Sequence, residues 1–248
     1  MSHVYEAPNW RDYKMNWYDP HREAEPLAAE IAVVDAGLAL LVQAGILPHG
    51  QYDHAKLLAH RAAVRERFEI PWTAISHRMQ RLIYAINAIA QPQVMVAVGI
   101  FCGNTYISNA GAAIGPGAVY QAQRLVGLEI RPAEADRARR NVAAMEGSAG
   151  VAEVLGEDGL AWLRGYQGTI DLLYLDADGP RGSAKSIYLD LLQAGLPALR
   201  PGSLVLAHNS VNSARSMANY LAYVRDSARF RASANMIVDD QGLEVSRY

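Results

Sequence analysis

Val94-Met95-Val96-Ala97-Val98-Gly99-Ile100-Phe101-Cys102-Gly103-Asn104-Thr105 is the stretch on which the reading of the fold turns. Its five leading apolar residues, short and ended by glycine, have the look of a parallel strand buried on both faces. Gly103 follows Gly99 by four residues, and Asn104-Thr105 open a helix-like run to about Ala113. Glycines at such a turn let backbone approach a ligand closely, and a helix start offers free N–H groups. The spacing is not that of a dinucleotide fingerprint, nor of a Walker loop, since no Gly-Lys-Ser/Thr follows. Taken alone, the turn is explained as well by a plain strand-to-helix connection.

Downstream the alternation repeats. Val119–Glu129, broken near Gln121–Arg124, holds a second strand, and Pro132–Met145 reads as a helix with proline at its start and Gly147 past its end. Val151–Leu155, Ile170–Leu175 and Ser203–Ala207 read as strands, separated by helices over Leu160–Gly165 and Lys185–Leu199. Ala234–Val238, a turn at Asp240-Gln241-Gly242 and Leu243–Arg247 read as an antiparallel hairpin. Upstream, helices are expected over Leu27–Leu47 (after Pro26), Asp53–Phe68, and from Thr73 or Ser76 to Ala90, with no strand before residue 93. The pattern predicts an α/β fold: a Rossmann-like, doubly wound, mostly parallel sheet of seven strands with a C-terminal hairpin and an N-terminal helical cap. Residues 1–75 are the arm and cap, and 76–248 the main domain, forming one unit with it. The aromatic residues Trp10, Tyr13, Trp17 and Tyr18, with Pro71-Trp72, suit either a lid over an aromatic substrate or an arm packed on a dimer partner.

With 248 residues, 51% apolar and 19% charged, the chain can bury one α/β core plus a short accessory segment. A formal charge of −2 gives no electrostatic reason to expect nucleic acid. The single cysteine, Cys102, excludes an internal disulfide and suits a reducing compartment; its apolar neighbours favour a buried packing role over a reactive thiol. The most hydrophobic stretch, Leu27–Leu47, carries Glu30, Asp35 and Gln43 and is too polar to span a bilayer. The N-terminus lacks the order of a signal peptide. These features predict a soluble cytoplasmic protein that acts on a small molecule, without nucleic acid or membrane as partner, as a homodimer.

In an open parallel sheet, ligands bind beyond the carboxyl ends of the strands, where strand order reverses. The second strand ends in Leu128-Glu129, where a carboxylate suits a ribose diol ahead of the alternative of a solvated helix-start acid. Glu157-Asp158 follow the third strand. Asp176-Ala177-Asp178 follow the fourth, and ionised carboxylates beyond an apolar strand are hard to explain as packing. His208-Asn209-Ser210 follow the fifth, so acids, an imidazole and an amide gather where a divalent metal could bind.

At this point the sequence resembles the catechol and caffeoyl-CoA type of small-molecule O-methyltransferase, from about Ser76 to Tyr248. Val96 to Thr105 is similar to that family's S-adenosylmethionine (SAM) loop, and Gly127-Leu128-Glu129-Ile130-Arg131-Pro132 to its ribose segment. Leu175-Asp176-Ala177-Asp178 resembles its Ile-Asp-Ala-Asp signature. Leu199-Arg200-Pro201-Gly202-Ser203 with His208-Asn209 resembles its Leu-Arg-Pro-Gly-Gly, strand and Asp-Asn, and Asp240 to Val245 its terminal hairpin. The resemblance implies a class I SAM-dependent methyltransferase. Gly99, Phe101, Gly103, Thr105, Glu129, Asp158 and Asp176 would bind cofactor, with Glu129 on the ribose, Asp158 near the adenine and Thr105 near the methionine end. Asp176, His208 and Asn209 fall on its metal-ligand positions, and a lysine there takes the hydroxyl proton.

Three departures qualify the resemblance. Ala97 replaces an acid of the SAM loop. Gly179 stands where the family's lysine is expected, but Lys185, with Tyr188 three residues on, keeps that lysine's spacing to Arg200 if 179–184 is an insertion. Lys185 is then the candidate base, one of only three lysines in the chain. His208 replaces a carboxylate; imidazole suits Zn²⁺, Fe²⁺ or Mn²⁺ and suits Mg²⁺ poorly. Either the site takes a softer metal, or metal is lost and His208 is the base. The same residues leave room for transfer to nitrogen or carbon, or for a SAM-binding protein without catalysis.

Overall fold

The computed structural model describes residues 2–15, 18–71, 75–180 and 182–248. Eight strands form one sheet: β1 (Ser2–Glu6), β2 (Val94–Val98), β3 (Arg124–Leu128), β4 (Ala152–Leu155), β5 (Ile170–Leu175), β6 (Leu199–His208), β7 (Ala232–Ile237) and β8 (Leu243–Arg247). They lie in the order β1-β7-β8-β6-β5-β2-β3-β4. From β6 to β4 all pairs are parallel, while β8 runs antiparallel to both β6 and β7. The chain builds β2, β3 and β4 outward, then returns to lay β5 on the other side of β2. The switch point therefore falls between β2 and β5, where a ligand crevice opens.

The expected mixed sheet and terminal hairpin are present, and an eighth strand is added. β1 pairs in parallel with β7, Val4 opposite Asn235, which corrects the expectation of no strand before residue 93. It is an edge strand, held from one side by Tyr5, whose hydroxyl donates to the Val33 carbonyl at 2.6 Å. The second strand occupies only Arg124–Leu128 of the longer expected stretch. β6 starts at Leu199, ahead of the expected Ser203, because the Ser203 hydroxyl, donating to the Ile170 carbonyl at 2.6 Å and accepting from Arg200 N–H, bridges the register shift there.

The helices are α1 (Leu27–Gln43), α2 (His54–Arg67), α3 (His77–Ala90), α4 (Asn104–Ala110), α5 (Pro132–Ala143), α6 (Gly159–Gly165), α7 (Tyr188–Gly195) and α8 (Ala218–Val224). Asp53 and Ser76 cap α2 and α3, each accepting from the backbone N–H three residues on, and so set both starts. α3 is buried along most of its length, and it packs with α1 and α4 over the face that carries Met95 and Ala97. The other face, with Val96 and Val98, is covered by α6, α7 and α8. The expected helix over Lys185–Leu199 is α7 flanked by short 3-10 turns, Ala184–Ile187 and Leu196–Ala198. Buried ion pairs join the cap to the core: Glu30 accepts from Arg61 and Arg81 at 2.6 and 2.5 Å. No described helix is long and apolar enough to cross a membrane.

Candidate active site

A cavity of about 580 Å³ opens at the carboxyl ends of β2, β3, β5 and β6, on the switch point. Gly99, Phe101, Thr105, Glu129, Asp158, Asp176, Lys185, His208 and Asn209 all line it, so nine of the ten residues singled out from sequence converge. Gly103 is the exception. It stands behind the loop with φ +89°, and a Cβ there would lie 3.3 Å from the Ala138 Cβ of α5, so its smallness serves helix packing.

Gly99 has a different cause from the one its place in the loop suggests. Its φ is +81°, and a Cβ would stand 2.3 Å from Ala177 Cα. That approach is fixed by the Asp176 amide, which donates to the Val98 carbonyl at 2.8 Å. The glycine is required by the chain leaving β5, whatever ligand the cavity holds.

Glu129 ties the loop together. One of its oxygens accepts from Phe101 N–H at 2.7 Å, and the other from the backbone and Nε of Arg131, both at 3.0 Å. A carboxylate offers about four lone-pair sites, so most of its capacity is spent on holding Phe101 (φ +49°) and Arg131 in place. Asp158 caps α6 by accepting from Ala161 N–H at 2.8 Å. Thr105 opens onto the cavity beside Asn104.

At the far end lie the acids, the lysine and the imidazole. The 179–184 turn closes on itself, Gly179 N–H donating to the Ala184 carbonyl at 2.6 Å, and so returns Lys185 to the site; Arg181 lies outside the described residues. The Lys185 ammonium donates to the Asp176 carbonyl at 2.7 Å and to Asp176 Oδ1 at 3.0 Å, and forms an ion pair with Asp178 Oδ1 at 3.1 Å. Two of its three protons are thus given to Asp176, with Asp178 as a second counter-charge. Burial works against the charge of Lys185, but Asp176 and Asp178 outweigh it and hold the amine above its usual range. Burial likewise opposes the charge on Asp176, and Lys185 and His208 overcome it, so the carboxyl sits below its usual value.

His208 Nδ1 lies 3.3 Å from the same Asp176 oxygen. With Nδ1–H donating there, Nε2 is the acceptor nitrogen, and it is buried without a partner. Asn209 is turned to Gln241, its Nδ2 donating to Oε1 at 2.8 Å. Among the described residues no three His, Cys, Asp or Glu side chains are placed to hold a metal ion.

Sequence reasoning missed Asn104, Gln241 and Asn212, which also line the cavity. Asn104 stood in the decisive stretch, but as a helix opener; the state of its amide is not visible from neighbours in sequence. Of the aromatic arm, Tyr13 is covered by Arg78, whose Cζ is 3.4 Å from the ring centre, and donates to Glu25 at 3.0 Å. Tyr18 is exposed, Met15 and Ile75 line the cavity, and Trp17 and Trp72 lie outside the described residues.

Residues 96–210 match the family model of a methyltransferase domain. The fold is shared with a methyltransferase of Podospora anserina bound to S-adenosylhomocysteine (15% identity, 92% of this chain and 99% of that one, TM-score 0.60). It is also shared with the O-methyltransferase of Streptomyces achromogenes involved in tomaymycin synthesis, solved with SAM (20%, 86% and 95%, TM-score 0.56). A methyltransferase of Geobacter sulfurreducens is similar as well (24%, 86% and 96%, TM-score 0.55). No match was found among curated proteins. The resemblance read from the motifs is borne out: residues 96–210 match a methyltransferase domain, and the chain shares the fold of methyltransferases solved with SAM or S-adenosylhomocysteine.

Proposed function

We propose that the domain transfers a methyl group from SAM to the hydroxyl of a small aromatic metabolite, with His208 as proton acceptor and without a metal in the step. One observation carries this reading: an imidazole on the cavity lining whose Nδ1 lies 3.3 Å from Asp176 and whose Nε2 is buried without a partner. The residues suit SAM, since the cavity is long enough to run from Asp158 and Glu129 to His208 and its loop wall holds a buried amide without partners. Bound SAM supplies an electrophilic methyl on a sulfonium. Asp176 fixes the imidazole tautomer and orientation, and Lys185 in turn fixes Asp176. A phenolic hydroxyl, with a pKa roughly that of tyrosine near 10, yields its proton to imidazole far more readily than an aliphatic alcohol does. That match supports an aromatic acceptor, and the O-methyltransferase among the structural neighbours supports oxygen as the accepting atom.

The residues do not suit a divalent ion. Asp176 Oδ1 is held at 3.0 Å by an ammonium and lies 3.3 Å from His208 Nδ1. A doubly charged ion 4 Å from an ammonium is repelled by on the order of 8 kcal/mol at an effective dielectric near 20. Lys185, with no free lone pair, serves as the counter-charge to Asp176 and Asp178, and the base role falls to His208. The test is turnover of labelled SAM against a panel of phenols. Activity is expected to survive chelation, and His208→Gln to lower kcat by about 10²–10⁴-fold while S-adenosylhomocysteine affinity stays. Loss of activity on chelation, restored by Mg²⁺ or Mn²⁺, refutes the metal-free reading.

A further inference from the structure

Asn104 is 5% exposed, and neither its Oδ1 nor its Nδ2 has a hydrogen-bond partner. A buried amide left wholly unmatched costs about 1–3 kcal/mol for each group, so a native protein keeps one where something else completes it. The side chain stands in the wall of the main cavity, and a second cavity of about 300 Å³ between α2, α3 and α4 touches it from behind. On this wall the loop offers Val98, Gly99, Ile100, Phe101, Asn104 and Thr105, none of them charged. Ala97, the residue before Val98, is fully buried against the α3–α4 face and presents no polar side-chain atom.

We propose that the Asn104 amide is the recognition element for the zwitterionic amino-acid head of the cofactor, Oδ1 accepting from its ammonium and Nδ2 donating to its carboxylate. The inference rests on the SAM reading above. An amide is the one neutral side chain that presents an acceptor and a donor side by side, which matches a head bearing one positive and one negative group. The acids that line the cavity lie elsewhere: Glu129 after β3, Glu157 and Asp158 after β4, Asp176 and Asp178 after β5. An elongated ligand with its adenosine on the β3–β4 side would bring its amino-acid end to the wall that holds Asn104 and Thr105. Asn104 is a binding residue here and takes no part in the chemistry.

The test compares two probes by calorimetry on the full chain. S-adenosylhomocysteine carries the amino-acid head, and 5′-methylthioadenosine keeps the nucleoside and sulfur without it. For Asn104→Leu, S-adenosylhomocysteine affinity is expected to fall about ten- to hundredfold, the range of lost hydrogen bonds to charged groups, while 5′-methylthioadenosine affinity stays within about twofold. The ligand-free variant is expected to melt no lower than wild type, because replacing an unmatched amide by an apolar group removes a penalty. Asn104→Ala repeats the comparison should the leucine variant fold poorly. Equal losses for both probes would show that Asn104 only shapes the loop, and unchanged affinity for both would assign it to the second cavity; either result overturns the proposal. A wild-type chain that binds neither probe overturns the SAM reading itself, a failure separate from the other two.

Discussion

Asp176 and Asp178 contact the same ammonium from opposite situations, which makes them a built-in control. The Asp176 side chain is 15% exposed and Asp178 is 76% exposed, at 3.0 and 3.1 Å from Lys185 Nζ. Distance is therefore matched and solvation is not. Removing one partner of a buried pair leaves an uncompensated charge and costs about 3–5 kcal/mol. Removing a solvated partner costs about 0.2–1 kcal/mol. Asp176→Asn should accordingly lower the melting temperature by roughly 6–20 °C, at about 2–4 °C per kcal/mol for a chain of this size, and Asp178→Asn by at most about 4 °C.

The pH of the experiment follows from the signs. The Asp176 carboxyl is held below its ordinary value, so its contribution is present above the unfolded-state pKa and is lost as pH falls through the folded one. Lys185 is held above its ordinary value, so its contribution is complete below the unfolded-state pKa and is lost as pH rises through the folded one. Both are in force at neutral pH, where calorimetric melts of the two variants and wild type are compared. Turnover should separate them further. With Asp176 neutral the imidazole loses the partner that sets its tautomer, and kcat is expected to drop by about 10²–10⁴-fold. Equal destabilisation by the two substitutions, or less than about 1 kcal/mol for Asp176→Asn, would refute the buried-pair account.

Two further expectations concern the packing behind the site. Burial lowers the His60 pKa from 6.5 to about 4, so between those values the unfolded chain holds a proton that the fold excludes; stability should fall by about 3 kcal/mol as pH drops through that window. His60→Gln should flatten the denaturation profile there relative to wild type, and superimposable profiles would contradict it. Cys102 is fully buried and its thiol is pushed up to about 11; a disulfide reagent at pH 8 should label it only as fast as the chain unfolds, and at once in denaturant. Prompt labelling of the folded protein would show that the loop opens.

What was legible in the sequence was whatever the local chain dictates. β2, β5 and β8 lie where continuous apolar or alternating runs placed them, each closed by glycine, acid or chain end. β1 was not legible: His-Val-Tyr-Glu is short, it sits at a sheet edge, and its partner lies more than two hundred residues away. α8 carries a single turn of periodicity beyond its start and gave no signal. At the site, residue types and strand-end positions were readable, and nine of ten singled-out residues meet in one cavity. Hydrogen-bond states were not. That Lys185 is held by Asp176 and Asp178, or that the Asn104 side-chain amide has no partner, depends on where unrelated segments pass.

Gly99 shows how closely the sheet and the site depend on one another. A strand-end glycine invites the thought that a ligand needs the room, and the room is in fact taken by the backbone of Asp176-Ala177. Any side chain at Gly99 would meet Ala177 Cα at 2.3 Å and push the segment away from β2. The displaced carboxylate would then leave both Lys185 and His208, whose contacts with it are only 3.0 and 3.3 Å. The missing Cβ on one strand thus sets the position of the acid on the next, and that acid sets the tautomer of an imidazole on the third. Across β2, β5 and β6, the end of the cavity that holds Asp176, Lys185 and His208 is a consequence of strand order, and the glycine turn is where that order is enforced.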